Sequence, residues 1–420
     1  MIRLAPNRRS VLAGLAGLAA APARATDTVA PFRKGVSIHN RLNWGKLEGP
    51  GAARYAFPPF ETPAHRLAPE LIANIRKAGF DFVRLTLDPG VFLSFSGAQR
   101  DEIDATLMVE VKRLLAAGLG VIVDVHPNSQ VAAYAPEKIT ASADSPLAAA
   151  YGAMLVRLAR LMLPLKGQRL ALEPMNEPQW GWDSASAARW AGIQKGWHDA
   201  IRAVAPDLTL VLTGARGGNL DGLIQLDPAP YRGSDVLWSL HYYEPYLLTH
   251  QGVKADQGEA KVWRWFSDLP YPAAPEMVEP IWFLIRRRIE AESGLSTSER
   301  AIALRDSEAA LKSYLGGGWG RARIAADFRR IEDWARRHGI AQTRLFVGEF
   351  GITRSYGPYR ASPPGPLVNW LSDVRSEAEA RGFGWALWAL SGYGGMALVE
   401  TDEALNFDPP TLEGLGLTPR

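Results

Sequence analysis

The chain contains no cysteine. That excludes a disulfide framework, a thiolate metal site and a cysteine nucleophile. It also lacks a surplus of one charge, since 47 Lys and Arg oppose 44 Asp and Glu for a net of +3. Its seven histidines occur in neither HxH nor HExxH spacing, so no metallohydrolase ligand set is present and no metal or cofactor is expected. Low hydrophobicity with high net charge, the mark of disorder, is missing, because 47% of residues are hydrophobic. Gly316-Gly317-Gly318-Trp319-Gly320 is followed by no Lys-Ser/Thr pair and preceded by no strand, which rules out a phosphate cradle. Beyond the N-terminal segment, no stretch is expected to reach transmembrane length.

What is present begins with an address. Arg8-Arg9-Ser10 precedes the apolar run from Val11 to Ala21, and Ala23-Arg24-Ala25 supplies a small-x-small cleavage site. This order predicts a signal peptide over residues 1–25, and the adjacent arginines suggest the twin-arginine route of bacteria. The expected mature protein is periplasmic or extracellular, free of the membrane once the signal is removed, and monomeric. Arg3, Arg8, Arg9 and Arg24 are the only charged residues of that segment, so the remainder carries 43 basic against 44 acidic residues. The apparent basicity belongs to the leader, and nucleic acid is not an expected partner.

Short β-type runs then alternate with helical patterns: Gly35–His39, Phe82–Leu87, Gly120–Val125, Leu170–Glu173, Leu208–Thr213, Val236–Leu240, Leu345–Gly348 and Phe383–Leu387. Between them lie helical patterns over Pro69–Ala78, Ala105–Ala117, Leu147–Met162 and Trp190–Val204. The runs are rich in Val, Leu and Ile, as parallel strands covered on both faces require. Eight of them interleaved with helices predict an α/β fold, a (β/α)8 TIM barrel, with a doubly wound open sheet as the alternative. No linker-like composition interrupts residues 26–420, so a single domain is expected. The longest irregular interval, Tyr242–Gly320 after strand 6, carries Trp263, Trp265, Trp282 and Trp319 with Tyr246 and Tyr271. It is a long aromatic insertion whose middle, Glu279–Leu311, is partly helical and charged.

In a barrel the catalytic side chains come from the C-terminal strand ends. Here those ends offer His39, Arg84, His126, Asn176-Glu177, His241 with Tyr243, Glu349 and Trp388. Two carboxylates that face one cleft are what glycosidic hydrolysis needs, one as proton donor and one at the oxocarbenium-like carbon. A high tryptophan content, 14 residues, suits stacking on the apolar faces of sugar rings. Glu173, on the strand leading to Glu177, reads as a buried structural partner. Trp190 and Trp197, seven apart on one helix, read as core.

Six strings in order resemble the cellulase family, glycoside hydrolase family 5: VRLTL (Val83–Leu87), VIVDVHP (Val121–Pro127), LEPMNEP (Leu172–Pro178), WSLHYYEP (Trp238–Pro245), FVGEFG (Phe346–Gly351) and GWALWAL (Gly384–Leu390). The resemblance implies Glu177 as general acid/base and Glu349 as nucleophile of a retaining reaction. It implies Asn176 on the sugar 2-hydroxyl, with Arg84 and Tyr243 orienting Glu349. His126 and His241 would line the scissile-bond subsite, and Trp388 would be its stacking platform. His39 matches a less uniform position, and Trp44 and Trp180 are candidates for flanking subsites. The expected substrate is a β-linked polysaccharide or oligosaccharide, and the expected activity an endo-β-1,4-glucanase. A β-mannanase, another β-glucan hydrolase and an exo-acting β-glucosidase are the enzyme alternatives. A non-catalytic carbohydrate-binding or polymer-export accessory protein is the alternative outside enzymes. The expected carboxyl separation is about 5–5.5 Å, the retaining spacing.

Overall fold

The computed structural model describes residues 32–179, 181–256, 258–356, 359–391, 395–399 and 405–417. The signal-peptide residues 1–25 and Trp180 lie outside them. Eight parallel strands close into a barrel: β1 (Lys34–Leu42), β2 (Phe82–Leu87), β3 (Gly120–Val125), β4 (Leu170–Glu173), β5 (Thr209–Thr213), β6 (Val236–His241), β7 (Leu345–Phe350) and β8 (Gly384–Leu387). Each strand pairs with its sequence neighbours, and β8 returns to β1. The open-sheet alternative is thereby excluded. Helices α1 (Pro69–Ala78), α2 (Gly97–Ala116), α3 (Pro146–Met162), α4 (Ser184–Arg202) and α5 (Leu220–Gln225) follow the first five strands. The interval after β6 contains α6 (Val278–Ala291) and α7 (Thr297–Gly316) before the barrel helix α8 (Arg321–His338), and α9 (Pro364–Ala380) follows β7.

Local chemistry explains the element ends. Pro69 occupies the first turn of α1, where its missing N–H costs nothing, and Gly79 closes the helix at φ 103°. The helix after β2 starts earlier than its apolar pattern suggests. Its first turns, from Gly97, carry polar residues such as Gln99, Arg100 and Asp101 that hide the 3.6 period. The insertion is more ordered than an irregular interval. Ser296 and Glu299 form a reciprocal capping box that starts α7.

Strand alternation builds the interior in layers. On β2, Phe82, Arg84 and Thr86 point inward while Val83, Leu85 and Leu87 meet the helices. Phe82, Ile122, Ala171, Val211, Leu237, Phe346 and Ala386 form a separate apolar cluster with Phe32, the barrel floor. The residues two positions on, Arg84, Asp124, Glu173 and Ser239, stand above that floor and are fully buried. The helices and outward-facing strand residues make the larger apolar shell, which includes Trp190 and Trp197 at 1% and 6% exposure. One helix does meet transmembrane criteria, Pro146–Leu165, contrary to the sequence expectation. It is amphipathic: Tyr151, Leu155, Leu158 and Met162 are buried against the barrel, so its hydropathy serves the core.

Candidate active site

One irregularity aims the site. Between β6 and β7 the register runs Ser239 to Phe346, Leu240 to Val347, then His241 to Glu349. Gly348 is therefore an extra residue, a bulge, and bulges re-aim side chains. A Cβ at Gly348 would lie 2.4 Å from Ser239 Oγ and 3.3 Å from the His241 ring, so the bulge needs glycine. Without it, alternation would turn Glu349 out of the barrel. With it, Glu349 stands level with His241, its side chain 5% exposed.

Arg84 sits at the centre, fully buried. Its Nε and Nη2 donate to the two oxygens of Glu173 at 2.7 and 3.0 Å. Nη1 donates to Glu349 Oε1 at 2.6 Å and Nη2 to Asn176 Oδ1 at 2.5 Å. Nη2 also lies 3.1 Å from Asp124 Oδ2. The structural and orienting readings of Arg84 are thus one geometry, with Glu173 fixing the fork that meets Glu349. Tyr243 Oη donates to the other Glu349 oxygen at 2.9 Å.

Glu177 follows β4 at the cleft floor with its side chain 35% exposed. His241 Nδ1 lies 2.7 Å from Glu177 Oε1 and 3.5 Å from Glu349 Oε2, so one imidazole bridges the two carboxyl groups. Burial holds that imidazole below its ordinary pKa. One oxygen of Glu177, one of Glu349 and a nitrogen of His241 all lie within 4.8 Å of one another. Those atoms could face a cation, yet both Glu349 oxygens already accept hydrogen bonds from Arg84 and Tyr243.

Four buried or cleft-floor carboxyl groups, Asp124, Glu173, Glu177 and Glu349, share one guanidinium. Burial pushes each of the four up to about 7, against the pull of Arg84. The cluster therefore binds protons more readily than free carboxyl groups do. Glu349 meets two donors, Arg84 and Tyr243, while Glu177 meets only the His241 imidazole.

A second chain fixes Asn176. Arg84 can only donate, so the Asn176 atom it meets is the carbonyl oxygen, and the amide Nδ2 must donate to His126 Nε2 at 3.2 Å. His126 then carries its proton on Nδ1, which faces Asp124 Oδ2 at 2.8 Å. Both His126 nitrogens are engaged, and its ring stacks on Trp388 with centroids 5.2 Å apart at 13°. His39 lies 4.6 Å from the Trp388 ring centroid and accepts the Trp44 indole N–H at 2.7 Å. All nine predicted site residues meet at one barrel mouth. Sequence reading missed Asp124 and Gly348. The Asp-x-His spacing of Asp124 and His126 was the available signal, since i and i+2 on a strand share a face.

Residues 50–274, more than half the chain, match the family described as cellulase, glycosyl hydrolase family 5. That span holds Arg84, Asn176, Glu177 and His241 and ends before Glu349. Endoglucanase 3 of Fibrobacter succinogenes is 23% identical over 225 residues, 53% of this chain and 30% of that relative's length. Among solved structures, the cellulose synthase subunit Z of Clostridioides difficile is similar with a TM-score of 0.62 at 19% identity, covering 91% of this chain and 99% of that one. Cel5A of Thermotoga maritima, solved with mannotriose, gives a TM-score of 0.61 at 18% identity, covering 91% and 97%. At these identities the structures share the barrel fold. By the match over more than half its length, the chain belongs to the cellulase family, glycosyl hydrolase family 5.

Proposed function

We propose that the protein is an exported, retaining glycoside hydrolase that cleaves β-linked glucan, most directly as an endo-β-1,4-glucanase. The observation that carries this reading is the pair Glu177 and Glu349, with oxygens within 4.8 Å of each other and unequal partners. That proximity supports direct attack by one carboxylate, since the carboxyl groups of an inverting site stand about 6.5–9.5 Å apart.

Glu349, held by Arg84 and Tyr243, attacks the anomeric carbon. Glu177 gives its proton to the leaving oxygen, which departs as an alcohol. The glycosyl ester that forms removes the charge of Glu349, which makes an ionised Glu177 beside it less costly. Glu177 then takes a proton from water, which attacks the same carbon and releases Glu349. Asn176 is oriented by Arg84 and His126 so that its amide is aimed at the sugar 2-hydroxyl, and Trp388 offers the stacking face. The nearly neutral charge of the chain without its leader suits an uncharged polymer.

The test is hydrolysis of a panel of soluble β-glucans and β-mannans by the full mature chain beside Glu349→Gln. The wild type should release reducing ends from a β-1,4-glucan, with mixed oligosaccharide lengths, and the variant should not. Activity unchanged in Glu349→Gln would refute the nucleophile assignment. Loss of all hydrolysis in the wild type, with polymer binding intact, would favour the accessory-protein alternative. Cel5A of Thermotoga maritima has been solved with mannotriose and with cellobiose, which is why mannans belong in the panel.

A further inference from the structure

The glycine-rich run Gly316–Gly320 takes no part in the chemistry above, yet its geometry has a purpose. Gly318 adopts φ +65°, and a Cβ on Gly317 would lie 2.8 Å from Ser313 O and 3.0 Å from the Trp319 ring. The Trp319 carbonyl accepts the Ala273 N–H at 2.7 Å. The run turns the chain from α7 into α8 and leaves room for one indole. That indole is partly buried, and the Arg323 guanidinium lies 5.0 Å from its centroid.

Trp319 and Arg323 line an open cleft between α5 and α8, with a cavity volume of about 200 Å³. The cleft reaches His241 and Tyr243 of the catalytic centre. Glu244 also lines it. Two other acids there are committed: Asp221 and Asp327 both pair with Arg330, and Asp327 also accepts the Tyr242 hydroxyl. The Glu244 carboxyl accepts the Tyr246 backbone N–H, and among the described residues no side chain hydrogen-bonds that carboxyl. Burial, with Asp327 and Asp221 nearby, raises it to about 7 against the pull of Arg323. Arg323 makes no ion pair among the described residues. An aromatic ring, a carboxyl group without a side-chain hydrogen bond and a guanidinium without an ion pair among the described residues thus line one cleft.

We propose that this cleft is a pyranose-binding subsite for the leaving-group side of the substrate, with Trp319 as its stacking face and Glu244 and Arg323 reading vicinal hydroxyls. A sugar hydroxyl can donate to the carboxylate while its neighbour accepts from the guanidinium, so an uncharged ring satisfies both. The direction comes from the barrel. The cleft lies over β5 and β6, across the mouth from His39, Trp44 and Arg84 on β1 and β2. Its inner wall, His241, bonds Glu177. This step rests on the reading of Glu177 as the proton donor to the leaving oxygen. The subsite belongs to the insertion, which supplies Trp319.

The experiment compares two substrates in the full chain: a β-1,4-linked tetraose (cellotetraose, or mannotetraose if mannan is preferred) and the aryl bioside of the same sugar. The aryl group replaces the sugars that would fill the cleft. In Trp319→Ala and in the isosteric Glu244→Gln, the ratio of kcat/KM on tetraose to that on aryl bioside should fall at least tenfold. A ratio within twofold of wild type in both variants overturns the subsite. If the wild type turns over neither substrate, the hydrolase reading fails, and the subsite is judged by tetraose binding. A tenfold weaker Kd in Trp319→Ala would then support it, and an unchanged Kd would overturn it.

Discussion

Replacing Arg84 by methionine keeps most of the side-chain volume and removes one positive charge from among four carboxyl groups. In the native structure that charge is fully buried and touches Asp124, Glu173 and Glu349. Breaking a buried ion pair by deleting one partner costs about 3–5 kcal/mol, because the remaining charge is left uncompensated. Here the carboxyl groups can escape part of that cost by taking up protons. Glu349 already titrates near 7 with Arg84 present, and Arg84 is one of the groups holding it down, so its removal moves Glu349 further up. Each unit of that rise lowers the ionised fraction at neutral pH by about tenfold. The variant should therefore lose about 3 kcal/mol or more in urea unfolding. Its kcat/KM on an aryl bioside at neutral pH should fall by about a hundredfold, with the acidic limb of the pH–rate profile displaced to higher pH. Arg84→Lys should recover part of the stability and less of the activity, since an ammonium cannot reproduce the fork to Glu173 and Glu349. Wild-type stability together with an unmoved acidic limb would refute the reasoning.

Two further outcomes follow from the same cluster. Tyr243→Phe removes only the hydroxyl on Glu349 Oε2; hydrogen bonds to charged groups contribute about 1.5–3 kcal/mol to stability, so urea unfolding should show a loss of that size, and kcat should fall by about 10- to 100-fold because Glu349 is held by one donor fewer. Stability should decrease as pH rises from about 5 to 8: folded-state carboxyl pKa values raised above the ordinary range mean the folded state binds more protons, so their contribution is fully present below the unfolded value and fades as pH climbs through about 7. Thermal melting of Glu349→Gln, which cannot ionise there, should show a shallower pH dependence than wild type, and an identical slope would contradict it.

Much of this molecule was legible in its residues because parallel barrels repeat one physical rule. Strands covered on both faces are rich in Val, Leu and Ile, and β2, β3 and β4 begin and end where those runs do. Polar side chains at strand ends, Glu177, His241 and Glu349, converge because the ends themselves converge, and Arg84 reaches Glu349 from the middle of β2. Three things were hidden. Alternation alone points Glu349 outward, and only the bulge at Gly348 corrects it. Asp124 sits inside an apolar run, and its use depends on Arg84 arriving from the neighbouring strand. The interval after β6 reads as irregular because the charged faces of α6 and α7 interrupt the apolar period; both helices are amphipathic or largely exposed, burying residues such as Ile285, Ile289, Leu311 and Leu315.

The central claim is that Glu349 attacks sugar carbon while Glu177 manages the proton. It is tested most directly by trapping the glycosyl ester with a 2-deoxy-2-fluoro β-glycoside bearing a good leaving group, followed by peptide mass mapping. One fluoroglycosyl unit is expected on the peptide containing Glu349, released when an acceptor sugar is added. Label on the Glu177 peptide, or turnover with inverted configuration and no label on either, would contradict it.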